Sequence, residues 1–205
     1  MYLVKTPSII QKCFPKFLWR KQTEEKMLYL TFDDGPIPEV TPWVLDQLEK
    51  HNAKATFFCV GDNVAKHPEI YQEILKRNHT VGNHTHNHLN GWTTKTKKYL
   101  ENITTCTRHV DSKLFRPPYG RLRPSQSKQL WKDYTVVMWD VLSGDFDTNI
   151  SGSQCWENVQ KNTEPGSIIV FHDSLKAKKR LYEVLPKTLE YFGERDYTFK
   201  ALRDR

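Results

Sequence analysis

The sequence contains no apolar run approaching the roughly 18 residues that a membrane-spanning helix requires, so no segment reads as a membrane span. The N-terminal stretch MYLVKTPSIIQKCFPKFLWRKQ lacks a continuous apolar centre and a small-residue cleavage site. Lys5, Lys12, Lys16, Arg20 and Lys21 interrupt it throughout, and it does not read as a secretory signal. The four cysteines, Cys13, Cys59, Cys106 and Cys155, lie far apart and form no C-x-x-C pair. They are expected to be free thiols in a reducing compartment, which places the chain in the cytoplasm or at the inner face of the membrane. Internal repeats, low-complexity tracts and long linkers are also missing. So are helix-turn-helix, zinc-finger and single-strand-binding signatures, which removes support for a nucleic-acid partner.

What is present suits one domain. The 205 residues are 38% hydrophobic and 12% aromatic, enough for a sizeable core. Thirty-one Lys and Arg against 24 Asp and Glu give a formal charge of +7, which points to an anionic neighbour without choosing one.

Short apolar runs alternate with longer amphipathic ones. Strands are expected at 27–32 (MLYLTF), 55–61, 79–84, 135–141 (TVVMWDV) and 167–172, with a short apolar run at 113–116. Helices are expected from about Thr41, at 68–76, 94–111, 124–132, 152–162 and 179–192. Repeated β-then-α order predicts an α/β fold around a parallel sheet. Ionisable clusters recur where the strands end, which is where barrels of this kind place their chemistry.

Five clusters follow in chain order. Asp33 and Asp34 in TFDDG are adjacent on an extended segment and point apart, so one can bind a metal while the other acts as a base. Ordinary turn chemistry at Asp-Gly-Pro is the alternative. His84 and His88 are four apart, and in a helical turn they would share a face and grip one cation, with His86 on the other side. Arg116 precedes two prolines in RPPYG, where it can hold a carboxylate through a bidentate bond or belong to a plain structural loop. Asp145 lies near a strand end in WDVLSGDF, and His172-Asp173 follows the apolar strand IIVF.

Taken in order, TFDDG, H-T-x-x-H, RPPYG, the pair Asp145-Phe146 and the I-x-V-x-H strand resemble the five motifs of the NodB-homology polysaccharide deacetylases, the fourth family of carbohydrate esterases. The resemblance covers about residues 27–200 and implies a distorted (β/α) barrel in a single domain. It assigns 27–205 to the catalytic domain and leaves 1–26 as a segment packing on or closing the barrel. By resemblance, Asp34, His84 and His88 would bind one divalent metal, usually zinc, with cobalt or manganese as relatives. Asp33 would be the general base, held by Arg116, and His172 the general acid, tuned by Asp145. The Tyr119 main-chain N–H would help to form an oxyanion hole, and Phe146 and Val170 would line the pocket for the acetyl methyl. The activity implied is removal of N-acetyl groups from an N-acetylhexosamine-containing glycan. An O-acetyl esterase of xylan type and a non-catalytic carbohydrate binder are the rivals. Leu142 stands where many relatives carry Asp, Phe146 where they carry Trp, and Leu89 where they often have Pro.

Outside the motifs, Trp92, Trp43 and Tyr119 can stack on sugar faces or pack at the barrel rim; Trp92 is taken with Phe146 and Val170 as substrate-binding. Trp139 reads as core. Ile9, Ile10, Cys13, Phe14, Phe17 and Leu18 recur at helical spacing, and with their lysines could lie on an anionic membrane. Pro15 interrupts that pattern and favours a helix closing the barrel's bottom. The run from Lys176 to Arg180 reads as a solvated charge run that could flank the groove. With no accessory module in view, a monomer acting on a glycan is expected.

Overall fold

Apolar side chains on both faces of a strand favour a buried, parallel position in a sheet, and the central strand here has that character. The computed structural model describes residues 2–203. Strand β1 (Met27–Asp33) is buried from Leu28 onward and pairs in parallel with β2 (Thr56–Cys59) on one side and β7 (Ile168–His172) on the other. The sheet runs β5–β4–β3–β2–β1–β7–β6, all parallel, where β3 is Thr80–Asn83, β4 Leu114–Phe115, β5 Thr135–Val136 and β6 Val141–Leu142. A short β8 (Thr198–Phe199) pairs with the first residues of β1. The result is a distorted (β/α) barrel forming a single domain, as the motif resemblance implied.

Helices α2 (Thr41–Lys50), α3 (Gly61–Lys66), α4 (Pro68–Lys76), α5 (Thr96–Cys106), α6 (Pro124–Leu130), α7 (Gly152–Asn162) and α8 (Lys178–Gly193) surround the sheet. Side chains alternate along each strand. Leu28, Leu30 and Phe32 of β1 join Ile169, Phe171 and the helices in the main core, with Phe32 stacked between Phe57 and Phe171. Tyr29 packs instead with Phe58, Leu114, Val137 and Ile168. Above that layer, the same face of β1 continues through Thr31 to Asp33, and the same face of β7 through Val170 to His172. The period of two thus carries one apolar layer upward into a polar rim.

The expected strand 135–141 is not one strand. β5 lies at one edge of the sheet and β6 at the other, and residues 137–140 cross the gap between them. The cause is polar. The Val137 and Met138 carbonyls accept from Arg116, at 3.3 and 2.9 Å, rather than joining a ladder. The buried Asp140 carboxylate accepts from the Ile168 N–H (2.9 Å) and the Ser167 hydroxyl (3.0 Å). The N-terminal segment runs along this gap. Leu18 bridges Val137, Lys5 bridges Val141, and Arg20 bridges Ser167. Helix α1 covers only Ser8–Cys13, with no buried residue, where the spacing suggested helix as far as Leu18. Beyond Pro15 the chain is extended, because Leu18 exchanges main-chain bonds with Val136 and Met138. No helix among the described residues is long and apolar enough to cross a membrane.

Candidate active site

Asp33 is the last residue of β1 and Asp34 the first beyond it, at φ 84°. Turning into the left-handed region swings the Asp34 carboxylate away from that of Asp33. The turn is held from two sides. The Asn63 amide donates to the Asp34 carbonyl (2.7 Å), and Asp173 accepts from the Gly35 N–H (3.0 Å) and the Thr41 hydroxyl (2.6 Å). Burial pushes the Asp173 carboxyl up to about 8 despite the Thr41 bond, and the field of Asp34 adds to the rise.

Asp34, His84 and His88 converge, with one donor atom from each within 4.8 Å of the others. The convergence does not come from a helical turn, as the i, i+4 spacing suggested. Residues 84–88 form a loop in which Thr85 and His88 take positive φ, 63° and 53°. Asn102 Oδ1 accepts from the His86 and Asn87 N–H groups and pins that loop (2.9 and 3.0 Å). His86 turns away and stacks on His109, 5.4 Å between centroids.

The donor set suits a divalent ion on this structure's own chemistry. His84 Nδ1 lies 2.8 Å from the Arg116 carbonyl, which fixes the proton there and leaves the Nε2 lone pair turned toward Asp34. Burial holds His84 down to about 4, against the raising field of Asp33, so the imidazole is in its neutral, ligating form. Asp34 Oδ1 is buried and makes no hydrogen bond of good geometry, although His88 Nε2 approaches to 3.1 Å. Burial alone would raise the Asp34 carboxyl, but the nearby His88 and the fields of His172 and His84 hold it well below the usual range. An ionised carboxylate with an unsatisfied oxygen beside two imidazoles is a fitting ligand set for zinc or a similar cation.

Arg116 is fully buried. Its Nη1 donates to Asp33 Oδ1 and to the Thr31 hydroxyl, both at 2.7 Å, and its guanidinium lies 4.2 Å from the Phe58 ring centroid. The bond to Asp33 is single rather than bidentate, because Nε and Nη2 are taken by the Val137 and Met138 carbonyls. Opposite, His172 Nδ1 meets Asp145 Oδ1 at 2.7 Å, and the His172 N–H donates to Asp145 Oδ2 at 2.8 Å. Burial would lower the imidazole, but the Asp145 carboxylate, with Asp34 and Asp33 behind it, raises His172 to about 9. Asp33 and His172 are direct partners in the β1–β7 register, so both stand on the same rim.

Phe146 lies edge-on to His172 at 5.1 Å, and Val170 is buried two residues before it on the same strand face. Tyr119 sits at φ 62° with its ring edge-on to His88 at 4.7 Å. Trp92 is exposed and shares the Arg121 guanidinium with Tyr119, whereas Trp43 stacks on Tyr182 at 3.8 Å and packs against the main core. Trp139 is only partly buried, under Gly120 of the Tyr119 turn. The run from Lys176 to Arg180 is not uniformly solvated. Arg180 is buried and donates to the Asp145 carbonyl (2.6 Å), fixing the backbone of the residue that holds His172. Thr31, Asn63 and Tyr2 carry no signal as site residues in the sequence, Arg180 only as part of a charge run, and Asp173 only as the neighbour of His172. The Tyr2 ring packs on Phe146 at 5.0 Å.

A sequence profile of the family described as polysaccharide deacetylase matches residues 20–139. A peptidoglycan-N-acetylglucosamine deacetylase of Bacillus cereus is 32% identical over 91% of this chain and 91% of its own length. The peptidoglycan-N-acetylmuramic acid deacetylase PdaA of Bacillus subtilis is 30% identical over 89% of this chain and 72% of its own. Other relatives are longer, and the chain spans 55% or 39% of their lengths. Among solved structures, the Bc1960 peptidoglycan N-acetylglucosamine deacetylase, in complex with a hydroxamate-type N-oxidanyl-benzamide, superposes with a TM-score of 0.87. It is 30% identical, over 96% of this chain and 95% of that one.

Proposed function

The chain belongs to the polysaccharide deacetylase family, and from that premise we propose that it hydrolyses the N-acetyl group of an N-acetylhexosamine in a peptidoglycan- or chitin-type glycan. Acetate and a free amino sugar are the products. The observation that carries the reading is the pairing, on one strand register, of a carboxylate held by a buried arginine with a histidine held in its charged form. A non-catalytic binder has no use for both.

An amide resists hydrolysis on two counts: its carbonyl is a poor electrophile and its amine a poor leaving group. Bound by Asp34, His84 and His88, a divalent ion, most simply zinc, would supply the Lewis acidity that polarises the carbonyl. Asp33, with Oδ1 tied to Arg116, keeps Oδ2 to take a proton from the attacking water. The oxygen of that water bonds to the acetyl carbon, and charge builds on the former carbonyl oxygen. We assign the Tyr119 main-chain N–H to that oxygen, because no hydrogen bond among the described residues engages it. When the C–N bond breaks, the nitrogen needs a proton. His172, whose Nδ1 is tied to Asp145, delivers it from Nε2. Phe146 and Val170 bound the space left for the acetyl methyl.

The test is acetate release from zinc-loaded protein, measured side by side on chitin oligomers, peptidoglycan fragments and acetylated xylan. Turnover of an N-acetyl glycan is expected. Activity confined to acetylated xylan would replace the amide reading with the ester one.

A further inference from the structure

Two segments beside the site are braced together more firmly than surface loops need to be. A Cβ on Gly91 would lie 2.3 Å from the Arg121 carbonyl oxygen, so only glycine lets the loop after His88 approach the segment after Gly120 so closely. The fully buried Gln126 donates to the carbonyls of Gly91 (2.9 Å) and Thr94 (3.3 Å) and accepts from the Arg123 N–H (2.9 Å). The Arg123 guanidinium closes the brace on the Trp92 carbonyl through Nε (3.0 Å) and Nη2.

What the brace presents to solvent is an open ladder. Trp92 is 57% exposed and Tyr119 60%, both unusual for rings of that size. The Arg121 guanidinium lies over both, 5.0 Å from the Trp92 centroid and 6.0 Å from that of Tyr119. Tyr119 in turn touches His88, so the ladder begins at the reacting centre. Arg121 is exposed, and no carboxylate among the described residues pairs with it. Its neighbour Arg123 is spent on holding the loop. A guanidinium held by two rings and left without an anion is arranged to meet a ligand that offers both an apolar face and a carboxylate.

We propose that Trp92, Tyr119 and Arg121 form a subsite for a carboxylate-bearing sugar next to the sugar being deacetylated, an inference that rests on the glycan reading above. The rings take the sugar's apolar face and Arg121 takes its carboxylate in a bidentate pair. A lactyl-ether amino sugar whose carboxyl carries no stem peptide has this chemistry; a chitin oligomer does not.

The probe is a peptidoglycan tetrasaccharide with free lactyl carboxylates, against the same tetrasaccharide with those carboxyls amidated. Each is titrated calorimetrically into the full zinc-loaded chain carrying D33N to block turnover. The acid form is expected to bind about tenfold tighter, the size of one charge-assisted pair at a partly wet surface. Adding R121Q should bring the two affinities together, and R121K should restore part of the preference, since it keeps the charge but loses the fork. Equal affinities before Arg121 is changed, no binding of either form, or a preference that survives R121Q would each overturn the subsite. Acetate release by the unsubstituted chain is read in parallel. A carboxylate preference without acetate release would remove the deacetylase reading and leave the subsite, and acetate release without the preference would do the reverse.

Discussion

Replacing Asp145 with Asn is expected to move the alkaline limit of activity to lower pH by more than two units. His172 is largely buried, and burial by itself depresses an imidazole below its ordinary value near 6.5. In the folded chain it stands near 9, against burial, because the Asp145 carboxylate supplies its field and one hydrogen bond to the ring, with smaller contributions from Asp34 and Asp33. Asparagine keeps the shape but removes the charge, so the imidazole returns to about 6.5 or below. At pH 7.5 the protonated fraction then drops from nearly all to about one-tenth, a loss of roughly tenfold in rate from protonation alone. The deficit should shrink toward pH 6, and that convergence distinguishes a tuning role from a collapsed site. A bound cation offsets the field of Asp34, so the native limit falls at or somewhat below 9. The sign for stability is the same. A histidine whose folded value is raised adds stability that is fully present below about 6.5 and is lost as pH rises through about 9. The span corresponds to about 3 kcal/mol, or a fall in Tm of about 10 °C for a chain of this size. The assays are acetate release from pH 5.5 to 10 and thermal unfolding across the same range, for wild type and D145N. An alkaline limit that does not move in D145N would refute the reasoning.

Chelation should abolish activity, and zinc should restore it with one ion per chain. By isothermal titration, H88Q should bind zinc at least about tenfold more weakly than wild type; equal binding would show that the ion sits elsewhere. Arg116→Lys keeps the charge but cannot serve Asp33, Thr31 and two carbonyls at once. It should cost about 3 kcal/mol and lower Tm by about 10 °C; a drop under about 2 °C would mean those bonds carry little. Lys5→Ala removes a partner from buried Asp140, 3.2 Å away. It should cost about 1 kcal/mol in urea denaturation, discounted because Lys5 is partly wet; no change would show that the N-terminal segment adds little to closing the gap.

Much of the candidate site is legible because its ionisable residues sit at the ends of apolar strands, where local pattern speaks. MLYLTF and SIIVF announce β1 and β7, and the alternation that buries Phe32 and Phe171 outward also turns Asp33 and His172 inward. Pairings distant in sequence carry no such signal. Val137 and Met138 look like mid-strand residues until Arg116, more than 20 positions earlier, claims their carbonyls. Arg180 looks like one more surface charge until Asp145 is seen to lie against it. His84 and His88 announce a candidate metal pair in the sequence, but not the loop that forms it. Their spacing fits a helix, but two left-handed residues and Asn102 bring them together. The N-terminal segment has a helical period, yet the gap between β5 and β6 takes extended backbone at Leu18.

The central claim is that Asp33 takes the proton while Asp34 holds the metal. The direct measurement is acetate release by D33N, alongside its zinc content. The account predicts one zinc per chain, as in wild type, with the rate reduced about 100-fold or more, the scale of a positioned general base. A zinc-loaded D33N that turned over N-acetyl glycan at the wild-type rate would contradict it.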